Sequence, residues 1–356
     1  MLTILNVAYP LCPVGPEALG GAEQVLSAID RALVSAGHRS LVIARGDSTV
    51  AGELVPLAVR VAPFDHATYC AAHDDCRGAI ARTLAREDVD LVHLHGTDFP
   101  CYVPAGRRTM ATLHLWPDWY PAATLRSCAS NLVLQCVSEA QRHACPHPDD
   151  MLMIPNGVDL ARWQPNGGKA DYALTLGRIC PEKGVHLAID AAERAGCPLR
   201  IAGPVLPFAN HVAYFEDRIA PRTSGRVQFL GAVTGRAKYE LLASARCLLL
   251  PSTVIETSSL VAMEALACGT PVIAFGSPAL AELIEDGRSG FLVSNAEEMA
   301  DAIGAAGRLS PQDCRRTAIE RCDLHRMTGG YLRTYEALTR SDRDSKRTDA
   351  AALASP

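Results

Sequence analysis

Short apolar runs rich in Val, Ile and Leu alternate with amphipathic stretches along the whole chain. In the first half, runs such as Thr3–Ala8, Asp90–His95 and Thr109–His114 predict strands, and Ala22–Ala36, Asp74–Arg86 and Glu139–Ala144 predict helices. In the second half, runs such as Tyr172–Gly177, Cys247–Pro251 and Val272–Phe275 predict strands, and Lys183–Ala195, Val212–Ala220 and Ser259–Ala267 are among the stretches that predict helices. Strands that are apolar throughout, rather than alternating, suit a parallel sheet covered on both faces. Regular strand-helix alternation in both halves predicts an α/β protein of two doubly wound domains.

The alternation stops at Gln164-Pro165-Asn166-Gly167-Gly168, where Pro and Gly punctuate the chain as a linker. The expected division is therefore 1–165 and 166–312. A long amphipathic helix is expected over 313–340, with Leu324, Met327, Tyr331, Tyr335 and Leu338 on one face. The polar, then Ala-rich stretch 341–356 reads as a disordered tail.

Composition narrows the function classes. The 356 residues are 48% hydrophobic and 21% charged with a net charge of −5, which suits a folded chain and argues against nucleic acid as a main partner. Residues 1–165 carry 12 Arg, no Lys and 17 acidic residues, so nothing there supports tight electrostatic docking on a membrane, although peripheral contact at an inner face stays open. The 13 Cys are odd in number and scattered without a Cys-x-x-Cys, so reduced thiols and a cytoplasmic location are expected. The first residues lack a signal-peptide pattern, and no apolar stretch is long enough to span a bilayer.

Ligands of doubly wound sheets bind beyond the carboxyl ends of strands, and a cleft between two such domains is the default site. The most informative post-strand segment is 251–274, PSTVIETSSLVAMEALACGTPVIA. A helix starting near Ser258 or Ser259 offers unpaired N–H groups and a partial positive charge to an anion. Glu256 precedes that helix and Glu264 lies within it. On spacing alone the two carboxylates serve equally as diphosphate-flanking hydroxyl acceptors or as an ordinary loop residue and an ordinary helix residue. Arg178 and Lys183 stand at a helix entrance, as site cations or as a surface pair. His93 and His95 point to one face of a strand, but no acidic or Cys partner at useful spacing suggests a metal.

Pro251, Ser252, Glu256, Glu264, Ala265, Gly269, Pro271 and Val272 together resemble the signature of retaining glycosyltransferases of family 4, also called glycosyl transferases group 1. Gly20-Gly21-Ala22-Glu23, the segment Val92–Gly96, Ile154–Asp159 and Leu176–Gly184 resemble further family elements, so the likeness spans nearly the whole chain. The resemblance implies the GT-B fold, with two Rossmann-like domains facing across a cleft and a last helix crossing back to the first. It implies transfer of a sugar from a UDP-, GDP- or other nucleoside-diphosphate donor to a hydroxyl acceptor with retention and without a metal. The acceptor, whether a glycan, a lipid-linked sugar or a small molecule, is not specified.

The same resemblance assigns roles. Arg178 and Lys183 would neutralise the diphosphate, a task that suits preorganised cations. Backbone N–H groups of Ser258, Ser259 and Leu260 would meet the distal phosphate, with Gly21 approaching from the other domain. Glu264 would accept from both ribose hydroxyls. Glu256 would position the sugar, and His114 would hydrogen-bond one of its hydroxyls. Thr257-Ser258-Ser259 replaces the family's common Gly-Phe-Gly. A non-catalytic nucleotide-sugar binder or a nucleotide-sugar hydrolase on the same fold is the alternative. A dehydrogenase is disfavoured because the first loop lacks Gly-x-Gly-x-x-Gly.

Overall fold

The structure is a computed structural model that describes residues 1–60, 65–126 and 130–353, and side chains up to Arg340. The chain divides into two units, one of Met1–Ile154 with Arg326–Pro356, the other of Pro155–His325.

In the first unit the order is β1 (Thr3–Val7), α1 (Gly21–Ser35), β2 (Arg39–Arg45), β3 (Glu53–Leu57), α2 (His66–Arg86), β4 (Leu91–Leu94), β5 (Thr109–Leu113), α3 (Ala122–Arg126), β6 (Leu132–Cys136), α4 (Glu139–Ala144) and β7 (Leu152–Met153). The strands form one parallel sheet in the order β3-β2-β1-β4-β5-β6-β7. The order reverses direction between β1 and β4, the switch point where doubly wound sheets bind ligands. β4 and β5 are buried along their whole length, polar His93, Thr109 and Thr112 included, as central strands of a sheet covered on both faces are. The sequence pattern misses β3 because ELVPL carries a proline and sits half-exposed at the sheet edge.

The second unit runs β8 (Ala173–Leu176), α5 (Val185–Arg194), β9 (Leu199–Ala202), α6 (Ala209–Tyr214), β10 (Val227–Phe229), α7 (Gly235–Ser244), β11 (Cys247–Leu250), α8 (Leu260–Ala267), β12 (Val272–Phe275), α9 (Pro278–Leu283), β13 (Gly290–Val293), α10 (Ala296–Ala306) and α11 (Pro311–Arg321). Its parallel sheet has the order β10-β9-β8-β11-β12-β13, with the switch point between β8 and β11. Leu174, Leu248 and Val272 pack into one core, while their neighbours Ala173, Leu249 and Ile273 pack into another. Period-two alternation between two cores is what covers both faces of this sheet.

Four expectations need correction. The division falls at Ile154/Pro155 rather than after 165, because Val158 bridges to Asp323 and the backbone N–H of Val158 donates to Cys322 at 2.8 Å, tying 155–165 to the second unit. The helix expected over 313–340 is two helices, α11 and then α12 (Leu324–Leu353). The break at Cys322–Asp323 exists because that backbone is spent on Val158 and because the Asp323 carboxylate accepts from the N–H of His325 at 2.9 Å. The expected tail 341–356 continues α12 as far as Leu353; no Gly or Pro interrupts it after Gly330, and its Arg, Lys and Ala favour helix. Residues 354–356 lie outside the described ones. The helix expected from Lys183 is interrupted, since Pro181–Lys183 form a 3₁₀ turn and α5 starts only after Gly184.

From Arg326 the chain belongs to the first unit again. Met327, Tyr331 and Tyr335, from the predicted apolar face, are fully or almost fully buried. Gly330 permits the approach, because a Cβ there would stand 3.0 Å from Ile154 Cγ2. No helix among the described residues is long and apolar enough to cross a membrane.

Candidate functional site

The predicted residues fall into two sets, one in each unit. In the second unit, the end of β8 leads through Gly177 and Arg178 into the turn at Pro181–Lys183, and the end of β11 leads through Pro251 into the loop before α8. The turn closes on two backbone bonds, Lys183 N–H to Cys180 at 3.1 Å and Gly184 N–H to Pro181 at 3.0 Å. Gly184 is in the left-handed region at φ 60°, and a Cβ on it would lie 2.1 Å from the Pro251 carbonyl oxygen. Only glycine lets the turn sit this close to the β11 loop. The N–H of Thr253 donates to the Glu182 carbonyl at 2.9 Å and pins the same two segments again.

That clamp sets the charges. Lys183 Nζ donates to Glu256 Oε1 at 2.6 Å, and the Ser252 hydroxyl donates to the same oxygen. The Glu256 side chain is only 13% exposed, so the pair is partly desolvated and stronger than a surface ion pair. Arg178 is exposed, and among the described residues its guanidinium makes no hydrogen bond or ion pair, while its backbone carbonyl accepts from the Cys180 thiol at 3.7 Å. Gly177, Arg178, Lys183, Pro251 and Ser252 line a solvent-open pocket of about 270 Å³. α8 begins beside this loop: the Ser259 side chain caps it by accepting from the N–H of Ala262. One hydroxyl satisfies one of the helix's free donors, and the remaining first-turn N–H groups stay oriented for an anion.

Glu264 is brought elsewhere. It is 2% exposed and held by Lys238 of α7 at 2.7 Å, whose ammonium also lies 5.2 Å from the Trp163 ring centroid. Sequence reasoning missed Lys238, which stands in no recognisable motif; its only signal is rarity, since the chain has four Lys.

In the first unit, Gly21 opens α1 behind Gly20, an N-cap without a capping side chain. His114 follows β5 immediately, and His95 follows β4. His95 Nδ1 and His114 Nε2 are 3.2 Å apart. Behind them the His93 ring lies against His95, 3.9 Å between centroids with the planes tilted by 44°. Its Nδ1 is 2.7 Å from the Tyr335 hydroxyl and its Nε2 is 2.8 Å from Thr112 Oγ1, so both nitrogens are spent within the protein and neither is left for a metal. Burial pushes the pKa of His93 down to about 3 and of His114 to about 4, and that of His95 well below 6.5, so the three rings are neutral at pH 7. Trp116 leads into the turn Pro117–Trp119, and Trp119 is 56% exposed.

Comparison with known proteins gives two family matches. The model described as Glycosyl transferases group 1 matches residues 170–306, and that described as Glycosyltransferase Family 4 matches residues 19–162. The phosphatidyl-myo-inositol mannosyltransferase of Mycobacterium leprae is 24% identical over 376 residues, covering 93% of this chain and 96% of the relative. The alpha-maltose-1-phosphate synthase of Mycolicibacterium smegmatis is 25% identical over 289 residues, 80% of this chain. The chain spans about half the length of that relative, 55%. Among solved structures, Alr3699/HepE of Anabaena in complex with UDP-glucose superposes with a TM-score of 0.72 at 19% identity, covering 95% of this chain and all of the other. That likeness shows the fold, two Rossmann-like units of the GT-B type, in agreement with the sequence expectation.

Proposed function

The chain belongs to the glycosyltransferases of family 4, group 1, and on that premise we propose that it transfers a sugar from a nucleoside-diphosphate donor to a hydroxyl acceptor with retention of anomeric configuration. The observation that carries this reading is the pocket at the ends of β8 and β11 lined by Arg178, Lys183 and Ser252, with Glu256 held by Lys183 and Ser252 on the loop that leads into α8. Breaking the bond between sugar and diphosphate leaves charge on the diphosphate. Cations and helix N–H groups already in place stabilise that charge without reorganisation. Arg178 is the cation free to meet it, and the N–H groups of Ser258, Ser259 and Leu260 are assigned to the distal phosphate.

Lys183 has a second task. Without donor it is neutralised by Glu256. As the diphosphate binds, the ammonium turns to phosphate and Glu256 is released to accept from the sugar's hydroxyls. Glu256 is thus a positioning and charge-stabilising group, and no metal enters the charge balance on the phosphates. Glu264, paired with Lys238, is assigned to the ribose hydroxyls. His114, neutral at pH 7, is assigned to a sugar hydroxyl, as donor or acceptor according to tautomer.

The relative from Anabaena holds UDP-glucose, which supports a UDP-hexose as the first donor to try. The test is calorimetric titration with UDP and GDP, followed by diphosphate release from labelled donors with and without an acceptor pool. Arg178→Ala and Lys183→Ala are each expected to lose ~10²-fold or more in turnover. Absence of nucleoside-diphosphate binding, or near-normal turnover in either variant, refutes the reading. Release at full rate without acceptor assigns hydrolysis instead.

A further inference from the structure

Beside the donor pocket, on the turn that carries Lys183, three side chains of different chemistry converge. A donor atom each from Cys180, Glu182 and His211 lies within 4.8 Å of the other two. Cys180 and Glu182 flank Pro181 at the start of the 3₁₀ turn, and His211 comes from α6. Cys180 is 1% exposed and His211 is 6% exposed. Inside this cluster Glu182 Oε2 and His211 Nδ1 are both buried without a hydrogen-bond partner. A buried polar atom left unsatisfied costs roughly 1–3 kcal/mol, and two of them facing one small space form an anomaly that folding alone does not explain.

We infer that Cys180, Glu182 and His211 form a binding site for a borderline transition cation, Zn²⁺ above all. A single cation bound by these three side chains would give the two unpartnered residues a ligand. Zn²⁺ bonds of about 2.0–2.3 Å place tetrahedral ligands roughly 3.3–3.8 Å apart, so donor atoms within 4.8 Å of one another need to close by at most about 1–1.5 Å. Thiolate, imidazole and carboxylate together select zinc over Mg²⁺ or Ca²⁺, which take oxygen ligands. The bound ion would join the turn to α6 and fix the backbone next to Lys183. Its task is structural, and the inference does not depend on which reaction the chain catalyses.

The experiment uses the full-length protein after chelation and desalting. Zn²⁺ is titrated against a chromophoric chelator, and Co²⁺ is added as a spectroscopic probe. The expected result is one Zn²⁺ per chain, a thiolate-to-cobalt charge-transfer band, and affinity reduced at least ~10-fold in both Cys180→Ser and His211→Ala. Lack of stoichiometric binding, or equal affinity in wild type and both variants, overturns the site, as does a cobalt spectrum without the thiolate band. Should the variants fail to fold, the wild-type cobalt spectrum and the protection of Cys180 from alkylation by Zn²⁺ decide: protection supports the site and undiminished alkylation rejects it.

Discussion

Lowering the pH from 7 to 5 tests the buried histidine column directly. His93 is 0% exposed and bonded to Tyr335 and Thr112, and burial, with a smaller contribution from His114, moves its pKa from 6.5 to about 3. The unfolded chain keeps the ordinary value near 6.5. Between these two values the unfolded chain holds a proton that the native chain does not. Stability from this residue is therefore full above pH 6.5 and is lost as pH falls toward 3. Linkage over pH 7 to 5 gives about 2 kcal/mol for His93 alone. The assay is urea unfolding of wild type and His93→Asn at pH 7, 6 and 5. The variant starts less stable, because the Tyr335 and Thr112 hydroxyls each lose their hydrogen bond to His93, but its stability falls by about 2 kcal/mol less across the range. His95 and His114 titrate in both proteins and largely cancel in the comparison. Identical pH slopes in the two proteins refute the argument that a buried neutral imidazole drives the acid response.

Two further outcomes follow from the second unit. Lys238→Met removes the ammonium paired with the buried Glu264 carboxylate and is expected to cost on the order of 3 kcal/mol, whereas Lys238→Met with Glu264→Leu recovers most of that loss; a double variant as unstable as the sum of the single ones contradicts the pairing. Gly184→Ala forces a side chain into the left-handed region and toward the Pro251 carbonyl oxygen, so a loss of at least ~1–2 kcal/mol in thermal or chemical melting is expected, together with weaker nucleoside-diphosphate binding because Lys183 is adjacent; wild-type stability and binding in this variant count against the clamp.

Much of the fold was legible along the chain. Strands buried on both faces are apolar at most positions, so β1, β4, β5, β8 and β11 announce themselves without knowledge of their neighbours, even with a buried polar residue such as Asn6, His93 or Thr112. Edge strand β3 does not, since one exposed side and a proline dilute the signal. The residues that the family resemblance marks at the ends of β8 and β11 do meet, at the Lys183–Glu256 pair. The break between α11 and α12 was hidden because its cause, Val158, lies far away in sequence.

The amino-acid order by itself determined the alternation of strands and helices, the pairing of two doubly wound units and the post-strand segments that hold the candidate chemistry, because these follow from local periodicity and from residues adjacent in the chain. Tertiary structure alone decided that Lys238 neutralises Glu264 across 26 residues, that Tyr335 binds His93 across 242, and that Cys180 and Glu182 find His211. Partners of this kind are chosen by strand order and helix placement, which depend on how whole sheets bury their faces, and no periodicity within a segment encodes them.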